Sequence, residues 1–473
     1  MTLRKSALST LGALAIASMS SCTTYTPDIS LTSKIKTWNK ESDNSKAQLD
    51  LRNATHRAAT NNKLKLKHEA DLLYALSTTK DDATKKFFLH ELKLIGGSAS
   101  IEPLGDLLND KILGVDATMA LLYIHNSITA NDDSLFASSG AASSFIDALP
   151  SATGKNQLAI VKALGSIQKV NGSTIEQLEK LITSSTSQLR YAAIRSVANI
   201  ADSDSSEVLL KAIKEEKSYR RSQVINWNYL FARNLAKSDM SDAETHVLTV
   251  LSNLDKNKDV HLYINGLSSL QNIKGNNFTS DLISYMADDN LRLAEAVSRF
   301  LEKSQDPTVN AKIIAAFPEA RSSFQQLALK VIVTRGDSDS SNLVAQSLKS
   351  KDQDLRVAAT ILSNEVKATA VIPALIELIS QGTKEDSQAA SAALLRIPSD
   401  QSSNALRLAY EQADASAKVL LLNILATKSD STNADLALNA TLDTDKKISK
   451  AAFNALKGIA EARQIPQLIT LIS

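Results

Sequence analysis

One pattern recurs along most of the chain: an amphipathic helix, a polar turn and another short amphipathic helix. It is clearest in SQLRYAAIRSVANIADSDSSEVLLKAIKEE, from Ser187 to Glu216. Leu189, Ala192, Ala193, Val197 and Ile200 fall at helical spacing, DSDSS makes the turn, and Val208, Leu209 and Ile213 begin the next apolar stripe. Related stretches include DNLRLAEAVSRFLEK, DQDLRVAATILSNEVKATAVIPALIELIS and KISKAAFNALKGIAEARQIPQLITLIS. Aligning Leu189, Val260, Leu291, Phe324, Leu355 and Ile448, with one unit between the first two, gives a period of roughly 31 to 37 residues. A unit of that size cannot enclose a core, so it must bury its apolar faces against its neighbours. With aromatics at 4% and only 14 Gly and 8 Pro in 473 residues, those contacts fall to small and aliphatic side chains.

The second helix of each unit carries adjacent alanines, as in Ala192-Ala193, Ala358-Ala359, Ala392-Ala393 and Ala451-Ala452, which let helix backbones approach closely. IEPL with Pro103, VIPAL with Pro373 and QIPQL with Pro466 place a proline early in a first helix, where a missing N–H costs little. Together these features resemble HEAT repeats from about residue 82 to 473, in about eleven units. The resemblance implies an all-α fold, a right-handed α-α superhelix of the HEAT/armadillo-like solenoid type. It also implies repeat-stabilising roles for Asp288 with Arg292, Asp352 with Arg356, and Arg190 alone. His261 and Ser449 stand at the arginine position of other units, which predicts breaks in the ladder. Residues 126–157 match weakest and are expected to hold a degraded first helix, while IPQLITLIS supplies a first helix with no second helix after it.

The N-terminus has a separate logic. Arg4 and Lys5 precede the apolar stretch SALSTLGALAIASM, which is too short to span a bilayer as a helix. The run Met19-Ser20-Ser21-Cys22 resembles the lipobox of bacterial lipoproteins, and Cys22 is the only cysteine in the chain. That resemblance implies a signal peptide over 1–21, cleavage before Cys22, and lipidation of its sulfur and new amino group. Residues 22–46 then form the lipidated N-terminus and polar tether, and 47–81 an N-terminal helical segment. Two or three acyl chains, at about 0.8 kcal/mol per buried CH₂, would anchor the protein to a membrane. Thr23 stands where an aspartate would signal inner-membrane retention in the family, which points to the outer membrane.

Chemistry is sparse. A single thiol excludes a disulfide framework and a zinc or iron–sulfur cluster of cysteines. His56, His68, His90, His125, His246 and His261 show no metal-ligand spacing and read as surface or groove residues. The two DSDSS segments lack the glycine and distal glutamate of a calcium loop and read as helix caps. No nucleophile elbow, phosphate loop or dinucleotide fingerprint is present. A formal charge of +2 from 53 basic and 51 acidic residues gives no reason to expect a nucleic-acid partner. The richest local feature is YRRSQVINWNYLFARNLAK, residues 219–237. Val224, Trp227, Phe231 and Leu235 form a core stripe, and Asn226, Tyr229 and Arg233 form a second stripe offered to a partner. These observations predict a membrane-anchored, non-enzymatic scaffold in the bacterial envelope that binds a protein or peptide, with no cofactor, metal or small-molecule substrate. The alternative is a docking or substrate-capture module of an envelope enzyme complex or of a longer chain.

Overall fold

A computed structural model describes residues 42–129, 140–167 and 170–472, and every secondary-structure element among them is helical. The signal segment, Cys22 and most of the tether lie outside the described residues. The chain divides into two compact units, up to Leu254 and from Asp255 onward.

The first unit opens with α1 (Ser42–Ala59), α2 (Asn62–Thr78) and α3 (Asp82–Ile95). Helix pairs follow: α4 (Ile101–Gly105) with α5 (Gly114–Thr129), α6 (Ala141–Ala148) with α7 (Gly154–Ile167), α8 (Gly172–Ile182) with α9 (Ser187–Ile200), and α10 (Ser206–Glu215) with α11 (Ser218–Leu235). Helix α12 (Met240–Ser252) closes the unit. The second helices stack directly on one another in the order α3, α5, α7, α9, α11. This is the layered arrangement of an α-solenoid. Within 126–157, the region expected to match weakest, lies the short α6, whose Ala141, Phe145 and Ala148 are buried. Where α7 meets α9, a Cβ on Gly165 would lie 2.6 Å from Ser196 Cα, so glycine sets how closely these two helices approach.

The second unit begins with α13 (Val260–Lys274) and continues in pairs. These are α14 (Thr279–Met286) with α15 (Leu291–Lys303), α16 (Val309–Ala316) with α17 (Ser322–Thr334), and α18 (Ser340–Ser347) with α19 (Gln353–Leu362). Next come α20 (Ala368–Gln381) with α21 (Lys384–Arg396), α22 (Ser399–Gln412) with α23 (Ala415–Thr427), and α24 (Ala434–Ala440) with α25 (Lys446–Ile459). Helix α26 (Ile465–Ile472) is the last described. Here too the second helices stack in sequence, from α13 through α25.

The register of this unit is more regular than the apolar pattern predicts. The third residue after each second-helix N-cap is buried, and it recurs every 31 residues: Leu262, Leu293, Phe324, Leu355, Asp386, Ala417 and Ile448. Val260 and Leu291 are therefore out of register by two, and Leu291 is 59% exposed. Asp259, Asn290, Asp352, Asp414 and Asp445 stand at the N-caps, and the side chains of the last four accept backbone N–H groups of the first turn. One proline differs from expectation. Pro373 lies inside α20 rather than in its first turn, so the Thr369 carbonyl lacks its usual helical donor.

The far ends of the second helices are closed by the next unit. The Asn234 amide donates to the Ala198 carbonyl at 3.2 Å, and the Arg335 guanidinium donates to those of Leu301 at 3.0 Å and Asp306 at 2.9 Å. The Lys428 ammonium donates to the Leu394 carbonyl at 3.1 Å and also to that of Ile397. These donors reach carbonyls at or just beyond the helix C-termini, where intrahelical donors run out.

Candidate partner-binding surface

The expected repeat-stabilising residues divide into two groups. Arg190 and Arg356 both reach the start of the next second helix. Arg190 Nε donates to Glu216 Oε1 at 3.0 Å, and its Nη1 donates to the Ser184 carbonyl at 2.8 Å. Arg356 holds Asp386 with two bonds, Nε to Oδ1 at 3.1 Å and Nη2 to Oδ2 at 2.7 Å, and also donates to the Ser350 carbonyl at 2.9 Å. The pair is shielded, with side chains 14% and 2% exposed. The guanidinium, working against burial, holds the Asp386 carboxyl below the usual carboxylate value.

Asp352 caps α19 through the Leu355 N–H at 2.9 Å and accepts from Ser322 Oγ at 2.8 Å, which ties it to the preceding second helix rather than to Arg356. Asp288 pairs with Lys256, not Arg292, and accepts the Asn290 N–H at 2.8 Å. Arg292 is exposed and makes no hydrogen bond or ion pair among the described residues. The cause is the register: Arg356 directly follows the buried Leu355, whereas Arg292 precedes the buried Leu293 by one residue. The residue equivalent to Arg356 is Ala294, and the corresponding rung is made by Arg321 to Asp289 instead.

The stripe on α11 also needs correction. Asn226 and Arg233 are exposed, but Tyr229 is only 2% exposed, and Trp227, assigned to the core, is half-buried. Three residues carry the chain about 300° around a helix, which turns Tyr229 from the open face toward the packed side. The histidines differ as well, because His68, His125 and His246 are buried. His246 Nε2 lies 2.9 Å from Asn228 Oδ1, and Ser206 Oγ lies 2.7 Å from its Nδ1. The Asn228 amide nitrogen donates to the Val224 and Leu209 carbonyls at 2.9 and 3.3 Å, which leaves Oδ1 as acceptor. His246 is thus the neutral tautomer protonated at Nε2, and burial lowers its pKa to about 4.

The open side of the second-helix layer forms a ribbon. On α5, Val115, Met119 and Tyr123 occur at i, i+4 and i+8 and are 38%, 44% and 48% exposed. The Lys93 ammonium sits 3.8 Å from the Tyr123 ring centroid. Positions matched by the buried pattern continue the ribbon with Leu158, Lys162 and Ser166 on α7, then Tyr191, Arg195 and Asn199 on α9, then Asn226, Leu230 and Arg233 on α11. At its centre the Tyr191 and Trp227 rings lie 5.9 Å apart, and Tyr191 Oη donates to Glu216 Oε2 at 3.0 Å. The Arg190 and Arg220 guanidinium carbons lie 5.1 and 5.8 Å from the Tyr191 ring centroid. Half-buried aromatics beside arginine are the side chains that anchor protein interfaces. The i, i+4 spacing of Tyr191 and Arg195 carried this signal in the sequence.

Among known proteins, the family model for HEAT repeats matches residues 142–226, which include α7, α9 and the Tyr191 centre of the ribbon. The fold is accordingly all-α, a HEAT-like helical solenoid. Solved structures similar to the chain include an engineered protein at 18% identity, covering 92% of this chain and 100% of that one, with a TM-score of 0.27. Kap121p is similar at 12% identity over 93% of this chain and 50% of its own, with a TM-score of 0.37, so the chain spans about half of its length. A structure describing a phosphorylation switch in the interaction between cadherin and beta-catenin is similar at 11% identity, over 92% and 99% of the two chains, with a TM-score of 0.30. No curated protein matches the sequence.

Proposed function

We propose that the protein is a non-enzymatic scaffold, lipid-anchored through Cys22 in a bacterial envelope, that binds a protein or peptide partner on the second-helix face of its first unit. The observation that carries the binding role is the ribbon from Val115 to Arg233, where aromatic, aliphatic and cationic side chains stay open on successive helices. A surface of this kind offers many weak contacts along an extended ligand rather than a cavity around a small one. The anchor rests on Arg4 and Lys5, the short apolar run and the Met19-Ser20-Ser21-Cys22 ending. No described helix is long and apolar enough to cross a membrane. Thr23 favours the outer membrane, with the solenoid facing the periplasm.

Fractionation of cells making the wild-type chain or Cys22→Ser tests the anchor. The wild type is expected in the membrane fraction and labelled by radioactive palmitate. Cys22→Ser should lose the label and accumulate unprocessed. A Cys22→Ser chain that is still cleaved and still sediments with membranes removes the lipoprotein assignment.

A further inference from the structure

Charge is distributed unevenly between the two layers of the first unit. The second helices α7, α9 and α11 carry two, two and three lysines or arginines and no aspartate or glutamate. The first helices beside them, α8, α10 and α12, carry six acidic residues and three lysines. A chain with a net charge of only +2 therefore concentrates cations on one face of residues 154–235. Glu216 neutralises Arg190, but Lys162, Arg195, Arg220 and Arg233 are exposed.

We infer that the occupant of the ribbon is an extended polypeptide segment of another protein, acidic where it crosses α7, α9 and α11 and apolar where it reaches α5. This inference rests on the partner-binding reading above and adds the chemistry of the partner. Charge complementarity sets the acidic stretch, because one cation per helix at the 8 to 10 Å spacing of packed helices meets carboxylates spaced along an extended strand. Val115, Met119 and Tyr123 set the apolar end. The polar residues between them favour a peptide over other anions. Gln188, Asn199 and Gln223 lie on the same helices with side-chain amides that make no hydrogen bond among the described residues. An amide donates to a carbonyl and accepts from an N–H, the two groups a peptide backbone presents together. A phosphate backbone or a phosphatidylglycerol surface offers anionic acceptors without the alternating N–H donors of a peptide backbone, and the acidic first-helix layer weakens the long-range field such polyanions need.

The test uses the purified full chain in detergent and four probes: a labelled peptide of alternating Glu and Ser ending in Leu and Phe, the same peptide with Gln for Glu, oligothymidylate, and phosphatidylglycerol in mixed micelles. The acidic peptide should bind about tenfold more tightly than its Gln counterpart. Lys162→Glu with Arg195→Glu and Arg233→Glu should remove that difference, and Lys180→Glu with Lys211→Glu and Lys214→Glu on the first helices should leave it intact. Equal binding of both peptides, or tighter binding of oligothymidylate or phosphatidylglycerol with the same dependence on Arg195, overturns the inference. A photocrosslinker at Asn199 in cells separates the two levels. A crosslinked protein segment without acidic residues leaves the scaffold reading standing and removes this one, and the absence of any protein adduct removes both.

Discussion

Replacing Arg356 by alanine is expected to lower the unfolding free energy by about 3 to 5 kcal/mol, because it strands a carboxylate in a nearly closed site. Asp386 is 2% exposed and occupies the position that is leucine, phenylalanine, alanine or isoleucine in the other second helices of its unit. It is tolerated there because two guanidinium bonds compensate its lost hydration, and because it also makes the capping box of α21 with Thr383. The double variant Arg356→Ala with Asp386→Ala should lose clearly less than the two single losses combined, since no unpaired charge remains. Arg292→Ala is the comparison. It should change stability by no more than about 0.5 kcal/mol, as expected of an exposed side chain away from any packed or bonded feature. Urea denaturation of the wild type, both single variants, the double variant and Arg292→Ala measures all of these values, and equal losses for Arg356→Ala and Arg292→Ala would contradict the assigned register.

Acid should weaken the first unit before carboxylates begin to protonate. His246 is held neutral between Ser206 and Asn228, with a pKa lowered from 6.5 to about 4 by burial. The unfolded chain therefore binds the proton more readily, and stability falls as the pH drops from about 6.5 to about 4, then levels off for this group. A shift of that size corresponds to about 3 kcal/mol. His68 and His125, also lowered by burial, act in the same direction. Asp288 and Asp386 are lowered too, and for carboxylates the sign differs: their contribution is present above about pH 4 and is lost below it. Denaturation profiles of wild type and His246→Leu across this range separate the two. The variant is expected to be less stable at neutral pH and to show a shallower decline between pH 6.5 and 4, and an unchanged slope would mean that His246 is not the buried neutral base described here.

The helical period and the stacking of short units were legible because apolar spacing reports directly which face of a helix is covered. The register was only partly legible. Val260 and Leu291 satisfy a helical apolar pattern, yet each stands in the first helical turn, where an exposed aliphatic residue resembles a buried one. Counting from the capping Asp or Asn instead recovers the 31-residue period and shows that Arg292 is misplaced. Tyr229 failed for a related reason: its stripe was drawn on one helix alone, and the packing of α9, α10 and α12 around α11 decides which face is covered. The Ser206, Asn228 and His246 cluster comes from three different helices, so no spacing within a single segment could have revealed it. Tyr191, by contrast, was findable from its i, i+4 spacing to Arg195 on a helix that lacks acidic residues.

We propose above that the second-helix ribbon of the first unit is the surface that holds a partner. Photocrosslinking amino acids placed one at a time at Met119, Asn199 and Arg233, and at Lys180 and Lys211 on the first helices, test it in intact cells. Adducts to one protein are expected from all three ribbon positions, with the crosslinked sites ordered along a single segment of that partner, and no such adducts from Lys180 or Lys211. Adducts of equal yield from both layers, or ribbon adducts scattered over unrelated proteins, would contradict it.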